Sequence, residues 1–139
     1  FDFATTAGTP TKIVYALAAD LESDEGTPCL TTRLEEKVLP CFDLMKQLLK
    51  NDRSCDLFVI TKSAERVVGS DKVVNFEQGS IQGLTRVYMN EMVRKANVML
   101  IDMPLEPAEE DFESLVSVIV AKQPGCCESA IRKGSRYNR

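Results

Sequence analysis

The amino-acid sequence predicts an α/β domain built on a doubly wound, mostly parallel β-sheet. Two unbroken apolar runs of strand length, residues 57–61 and 98–102, are typical of parallel strands buried on both faces. Segments with helical periodicity alternate with these runs. Because such alternation favours right-handed crossovers, we expect helices on both faces of the sheet. A length of 139 residues, 44% of them hydrophobic, suits one compact domain.

The first half of the chain predicts a strand, a loop and a helix before the buried run at 57–61. Residues 13–17 have the β-branched and aromatic character of a strand, and the acidic, turn-rich residues 20–30 predict a loop. Apolar residues then recur on one helical face, at Leu34, Val38, Phe42, Met45, Leu48 and Leu49. Pro40 lies inside this pattern, so either the helix is kinked there or a new helix begins with Pro40 in its first turn. Asn51 and Asp52 are expected to end it.

The second half of the chain predicts two more helices and a terminal hairpin-like tail. Residues 73–76 indicate a weaker strand or a buried turn. The next helix is defined by Leu84, Val87, Tyr88 and Met92 and is preceded by Gly83. The third helix is defined by Phe112, Leu115, Val116, Ile119 and Val120, with Pro107 and three acids at its front and Pro124-Gly125 after its end. The tail from Glu128 predicts a strand, a turn at Gly134-Ser135 and a short extended piece.

Composition excludes several function classes. The sequence contains no histidine, so no Ser-His or Cys-His nucleophile pair can form within this chain. The net charge of -4 argues against a nucleic-acid-binding face, and no apolar run reaches the roughly 18 residues that cross a bilayer. No signal peptide is recognisable at the start. We therefore expect a cytoplasmic protein, and the absence of Met at position 1 indicates a fragment or a processed piece.

The five cysteines predict free thiols rather than a metal site or a disulfide framework. They are Cys29, Cys41, Cys55, Cys126 and Cys127. Their number is odd, their spacing is irregular and no C-x-x-C occurs, so a structural zinc site is improbable. Buried or half-exposed thiols in a reducing compartment are expected, with a redox role for the neighbouring pair Cys126-Cys127 as the alternative.

The motifs that accompany this fold class in nucleotide-dependent enzymes are absent. The first strand runs into residues 18–25, which hold four acids and no glycine, so no G-x-G-x-x-G loop is present to approach a pyrophosphate. There is no G-x-x-x-x-G-K-[ST], and no tyrosine is followed four residues later by lysine. The neighbouring acids at 35–36 and 109–111 do not face each other on a helix and make poor acid/base pairs. The sequence therefore indicates a domain that works by contact rather than by catalysis.

Four segments, in order, resemble the structural subdomain of a polyketide synthase ketoreductase, which also occurs in animal-type fatty acid synthases. They are L-F-V-I-T-K-S-A at 57–64, Q-G-L-T-R-V-Y-M-N-E at 82–91, V-M-L-I-D-M-P at 98–104 and E-S-A-I-R-K-G-S-R-Y-N-R at 128–139. Residues 13–17 fit the first strand of that family. The resemblance covers residues 12–139 and leaves residues 1–11 as an N-terminal linker.

This resemblance implies a truncated Rossmann-like, short-chain-reductase-like domain that does not itself bind NADPH. In the family it packs beside a catalytic subdomain, which carries the NADPH site and reduces a β-ketoacyl group tethered to the phosphopantetheine arm of an acyl carrier protein. The implied partners are that subdomain, neighbouring synthase domains and the carrier protein, with no nucleic acid and no membrane. No catalytic, cofactor-binding or metal-binding residue is expected in this chain.

Six residues in the matched segments are candidates for structural or interface roles: Gly83, Arg86, Glu91, Arg132, Arg136 and Tyr137. Gly83 is expected to let the start of its helix approach a neighbouring backbone. Arg86 and Glu91 are five residues apart and need not pair, so each could contact the end strands or the partner subdomain, or simply lie on a helix surface. The basic tail, which includes Arg132 and Arg136, indicates a solvated strand or an electrostatic contact with an acidic partner domain.

Two other functions are compatible with the sequence. One is a pseudo-ketoreductase scaffold element beside a methyltransferase or a dehydratase in the same kind of multienzyme. The other is a stand-alone nucleotide-dependent enzyme with an atypical loop, which needs a polar pocket beyond the ends of the strands.

Overall fold

The computed structural model describes residues 12–16, 29–50, 55–71, 76–92, 97–121 and 127–138, which form one sheet and three helices. The strands are β1 (Lys12–Tyr15), β2 (Asp56–Lys62), β3 (Val98–Met103), β4 (Cys127–Arg132) and β5 (Ser135–Asn138). The helices are α1 (Leu30–Lys50), α2 (Phe76–Glu91) and α3 (Glu109–Val120). The predicted linker at 1–11, most of the acidic loop at 20–30, the helix stop at 51–52, and Pro124, Gly125 and Cys126 lie outside the described residues.

The five strands form a single sheet in the order β1-β2-β3-β4-β5. Neighbouring strands from β1 to β4 are parallel, and β5 is antiparallel to β4. The predicted α/β class with a mostly parallel sheet is therefore confirmed. The spatial order follows the sequence order, so the described strands include no reversal of the kind that creates a crevice at a switch point. The doubly wound order that the sequence predicts is therefore wrong for the described strands.

Each face of the sheet is covered by helices. On the first face, α1 and α2 pack against side chains such as Leu57, Val59 and Leu100, and we call this the α1/α2 face. On the opposite face, which we call the α3 face, α3 packs against Phe58 and Ile101 and their neighbours. Because successive β-strand residues point to opposite faces, the buried runs of β2 and β3 supply both cores.

The crossover through α3 has the opposite hand to the crossovers through α1 and α2. All three connections step in the same direction across the sheet, yet α3 lies on the other face. The expectation that every crossover is right-handed is therefore wrong for this chain. One contact that holds α3 on this face is the ammonium of Lys12 in β1, which donates to the carbonyls of Ile119 and Val120 at the helix end.

Helix α1 continues through Pro40 without interruption. Of the two arrangements that the sequence left open, a new helix beginning at Pro40 is therefore wrong. A proline inside a helix removes one backbone donor. The helix is held on the sheet near this point because the Tyr15 hydroxyl donates to the Lys37 carbonyl at 2.8 Å, and Cys41 is fully buried beneath the next turn. Burial raises the pKa of the Cys41 thiol to about 12.

Helix α2 begins at Phe76, eight residues before Leu84, the first residue that the sequence indicates. Phe76 is helical, so the strand or turn predicted to include it is wrong at that residue, and residues 73–75 lie outside the described part of the chain. Gly83 consequently lies in the middle of α2 rather than at its start. It is exposed, and an added Cβ there would meet no atom within 4 Å, so the predicted close approach of a neighbouring backbone is also wrong.

The terminal hairpin is present as predicted, but its turn lies at Lys133-Gly134, one residue earlier than predicted, because Ser135 already belongs to β5. β4 and β5 are joined through Lys133 and Gly134, whose φ angles are 52° and 66°. Two successive residues with positive φ are typical of the tight turn that matches the twist of a hairpin, and glycine is the residue that adopts this conformation at least cost. No helix within the described ranges is long and apolar enough to cross a membrane.

Candidate functional site

Polar side chains meet where β2 and β3 end, the region in which open α/β sheets gather their functional groups. Thr61 and Asp102 are register partners at this edge, and both are buried. The Thr61 hydroxyl donates to Oδ1 of Asp102 at 2.8 Å, and the backbone N–H of Ala64 donates to the same oxygen at 2.9 Å. The first oxygen of the Asp102 carboxylate is therefore fully engaged by the end of β2.

Arg132, at the end of β4, neutralises the buried Asp102. Its Nη2 donates to Oδ2 of Asp102 at 2.7 Å and to the Glu65 carbonyl at 3.1 Å, while Nη1 donates to the carbonyls of Asp102 and Ile131. Its Nε donates to the carboxylate of Asp71 at 3.1 Å. Every guanidinium nitrogen has an oxygen acceptor, which is what makes a buried charge tolerable.

Asp71 connects the segment that follows β2 to this network of hydrogen bonds. The backbone N–H groups of Val67 and Val68 donate to its Oδ2 at 2.8 Å and 3.1 Å. Burial alone would raise the pKa of Asp71, but these two N–H groups and the Arg132 guanidinium hold it below its usual value. These hydrogen bonds hold residues 63–71 in place across the carboxyl ends of the strands.

A second charge cluster lies beside the first and joins α2 to the hairpin. Arg86 donates from Nε and Nη2 to the two carboxylate oxygens of Glu128, each at 2.9 Å, and from Nη2 to Glu65. The hydrogen bonds to Glu128 contribute most to a raised pKa of Arg86, which burial opposes and Glu65 reinforces. Because the Arg86 side chain is about one-third exposed, solvent screens these pairs, and we expect them to fix geometry more than stability.

A cavity of about 300 Å³ opens between α2, residues 65–67 and the hairpin. Its lining includes three acidic residues, Glu65, Asp102 and Glu128, together with Arg66 and with Gln82, whose amide donates to Thr61 at 3.2 Å. The described lining residues include no glycine-rich loop of the kind that binds a phosphate. Three acidic residues and one arginine make an unfavourable site for a phosphate group, and the volume of the cavity is at the small end of ligand pockets.

Three of the six predicted candidates, Arg86, Arg132 and Tyr137, surround or support this region. Arg86 contacts the end strand β4, as one of its predicted alternatives required, and Tyr137 lines the cavity. The expectation that Arg132 is solvated or meets an external acidic partner is wrong, because it is 4% exposed and its acceptors lie inside the domain. Arg136 belongs to the same hairpin and points to the α3 face. The interface role predicted for these residues stays a prediction.

The two candidates on α2 other than Arg86 also lie away from the charge clusters. Gly83 is exposed on α2 without a close neighbour, and Glu91 is exposed at the end of the same helix. Within the described residues, neither Gly83 nor Glu91 contacts the end strands. Of the predicted roles, these positions are compatible with an ordinary helix surface or with a contact to a partner.

The residues that sequence reasoning missed are Thr61, Glu65, Asp71, Asp102 and Glu128. One of these residues could have been found from the sequence. Asp102 ends an unbroken apolar run of strand length. A carboxylate in such a run is almost never buried without a partner, so it requires a buried cation. The identity of that cation depends on strand order, which the sequence pattern does not determine.

Exposed apolar side chains form two separate groups. Leu39, Phe42 and Leu49 lie along one side of α1, with exposed Val87 on the adjacent helix α2, and we call these four the α1 patch. Phe112, Val116 and Val120 follow each other at intervals of four along α3, and we call them the α3 stripe. Groups of exposed apolar side chains such as these are candidates for interaction surfaces.

Comparison with known proteins returned no matching family model, no similar curated protein and no similar solved structure. Among the described residues, no group of three or more acidic or cysteine side chains is placed to hold a metal ion. Fold and site together define an α/β domain in which internal ion pairs close the carboxyl edge of the sheet.

Proposed function

We propose that this chain is a non-catalytic structural subdomain of a polyketide synthase ketoreductase, with a truncated Rossmann-like fold. It packs on and stabilises an NADPH-dependent catalytic subdomain that reduces carrier-bound β-ketoacyl groups. The observation that carries the proposal is the Arg132–Asp102 pair. It fills the edge of the sheet where a nucleotide-binding relative would hold its cofactor, and every one of its groups is already satisfied.

The segments that resemble the family supply most of the residues of the two charge clusters, and Glu65 and Asp71 come from the stretch that follows the first of them. The segment at 57–64 supplies Thr61 and Ala64, and the segment at 82–91 supplies Arg86. The segment at 98–104 supplies Asp102, and the hairpin supplies Glu128 and Arg132. A structural role for these groups explains why motif residues are present without catalytic partners: they hold elements together.

The α1 patch is the surface best suited to the catalytic subdomain. It combines side chains from two neighbouring helices, and the Phe42 ring, 46% exposed, lies 5.8 Å from the ammonium of Lys46. An aromatic anchor surrounded by aliphatic side chains and a cation is typical of the central part of a protein–protein interface. Packing of a partner there would remove exposed apolar area from water.

The proposal is tested in the parent polypeptide through reductase activity towards a β-ketoacyl thioester. Phe42→Asp places a charge in the proposed interface, and we expect it to lower activity at least about tenfold, as loss of an interface anchor does. Leu105→Asp, in the loop after β3, is a matched control because it introduces the same charge at a similarly exposed site outside both apolar groups, and it should retain activity. Circular dichroism verifies that both variants fold. Equal activities of both variants and the wild type would refute the docking surface.

The cavity supports one competing function, a nucleotide-dependent enzyme in its own right, because it is a polar pocket beyond the strand ends. Binding of NADPH to this chain alone distinguishes that function from ours. A pseudo-ketoreductase element beside a methyltransferase or a dehydratase would have the same internal structure. The sequence that follows residue 139 in the parent separates it, because the proposed ketoreductase continues with a strand and a T-G-G-x-G-x-L-G loop.

A further inference from the structure

Arg136 and Ser129 lie together on the α3 face of the β4–β5 hairpin. Arg136 is the register partner of Ile131, which is fully buried in the core that α3 covers. Directly paired residues of antiparallel strands point to the same face, so the Arg136 side chain also lies on the α3 face. Ser129, two residues before Ile131, shares that face by the alternation of the strand.

Arg136 differs from the other arginines whose side chains the structure describes. Arg66, Arg86 and Arg132 all donate to oxygen acceptors. The only described hydrogen bond of Arg136 runs from Nη2 to the Sγ of Cys127 at 3.7 Å, and sulfur is a weak acceptor. Its Nε is buried and has no partner. Within the described chain, no carboxylate forms an ion pair with Arg136.

Ser129 also lacks a hydrogen-bond partner. It is 6% exposed, and its hydroxyl is buried without a hydrogen-bond partner. Both of these atoms, the Ser129 Oγ and the Arg136 Nε, are buried, so an acceptor from outside the domain meets Arg136 at its Nη atoms, whose only described acceptor is the weak Cys127 sulfur. A half-buried cation without a strong acceptor is unfavourable. A carboxylate is the acceptor that matches an arginine best, because its two oxygens can accept from two guanidinium N–H groups at once.

We infer that the α3 face of the hairpin is a second contact surface, at which Arg136 receives a carboxylate from an acidic surface of a neighbouring domain. Exposed Lys133 in the adjoining turn adds positive charge, which favours an acidic partner over a basic one. The α1 patch lies on the other face of the sheet, so the domain contacts partners on both sides. The inference rests on the proposed function only for the identity of that partner, a domain of the same synthase.

A zero-length carbodiimide cross-link tests this inference in the intact parent polypeptide. This reagent joins a lysine ammonium to a carboxylate with which it is in contact and leaves arginine unmodified. Arg136→Lys should therefore produce a new cross-link, absent from the wild type, to an Asp or Glu outside residues 1–139. Arg66→Lys, which introduces the same ammonium beside the cavity on the other side of the sheet, should produce none to that region.

A second measurement covers the case in which the cross-link forms inefficiently. We expect Arg136→Glu to accelerate amide hydrogen exchange of the hairpin in the parent at least about tenfold, because like charges then face each other. Lys133→Glu makes the same charge change in the exposed turn and should have a much smaller effect. Circular dichroism confirms that both variants fold.

Each outcome decides the inference. A link from position 136 to a carboxylate beyond residue 139 supports it, even if the following domain is not a reductase and the proposed function fails. A link only to carboxylates within the 139 residues, or no link together with unchanged exchange in Arg136→Glu, overturns it. Saturable protection of the hairpin amides by inorganic phosphate, with no cross-link, also overturns it, because the site then binds a small anion.

Discussion

At the scale of single residues, the ion pair between Asp102 and Arg132 accounts for the closed edge of the sheet. Both side chains are at most 5% exposed, so neither charge can return to water without local unfolding. Such a pair adds little to stability compared with apolar residues of similar size, but breaking it from one side leaves an uncompensated buried charge. The pair therefore fixes one arrangement of β2, β3 and β4.

Substitution of Asp102 tests that account. We expect Asp102→Asn to lower the free energy of unfolding by about 1–3 kcal/mol, because Arg132 loses its more deeply buried counter-ion and keeps only Asp71. Urea denaturation of the 139-residue chain measures this change. Asp43→Asn, which removes an exposed carboxylate from α1, should change stability by no more than about 0.5 kcal/mol. Similar stabilities of the two variants would contradict the proposed structural role of Asp102.

Asp71 makes a pH-dependent contribution with a defined sign. Its pKa is lower in the folded chain than the value of about 3.9 that an unfolded aspartate has. The folded state thus binds fewer protons, so Asp71 stabilises fully above that ordinary value, and the contribution is lost as pH falls through the lowered pKa. Denaturation between about pH 2 and pH 7 should show a shallower acid decline in Asp71→Asn than in the wild type. Parallel curves for the two proteins would refute this.

At the scale of secondary structure, the sequence predicted the buried strands well and the helix starts poorly. β2 and β3 were predictable because an apolar run of strand length that is buried on both faces leaves few alternatives. The start of α2 was missed because its buried face includes Gln78, Gln82 and Thr85, which do not register as apolar periodicity. Gly83, which resembles a helix boundary in the sequence, lies mid-helix.

The position of Gly83 leads to a prediction for α2. Because Gly83 is exposed and an added Cβ meets no atom within 4 Å, Gly83→Ala should stabilise the chain by about 0.5–1 kcal/mol through higher helix propensity. Gly134→Ala is the matched comparison. There φ is +66° and the Cβ of Glu110 would lie 3.3 Å away, so the same change should destabilise. Thermal unfolding measures both, and a loss of stability in Gly83→Ala would show that the helix is packed differently.

At the scale of the whole molecule, the fold class could be predicted from the sequence, but the partners in the ion pairs could not. Alternating strand and helix patterns indicated an α/β sheet with both faces covered, which the structure bears out. The partners of Asp102 and Arg86 come from elements that only strand order and register bring together. The opposite hand of the α3 crossover likewise depends on tertiary contacts such as that of Lys12, which local patterns do not encode.

The domain has the general layout of a cofactor-binding protein, but its own side chains occupy the carboxyl edge of its sheet. Its exposed apolar side chains lie on both sides of the sheet, and the half-buried Arg136 lies on one of them. Our proposal is that the domain acts through its contacts with neighbours. That conclusion fails if the chain binds a nicotinamide nucleotide without help.

Isothermal titration of the folded 139-residue chain with NADPH is therefore the most direct test. We predict no saturable heat up to millimolar nucleotide, since the edge of the sheet offers carboxylates and completed ion pairs where a phosphate would need donors. Saturable binding with a micromolar or lower Kd would contradict the account and identify the chain as a nucleotide-binding protein.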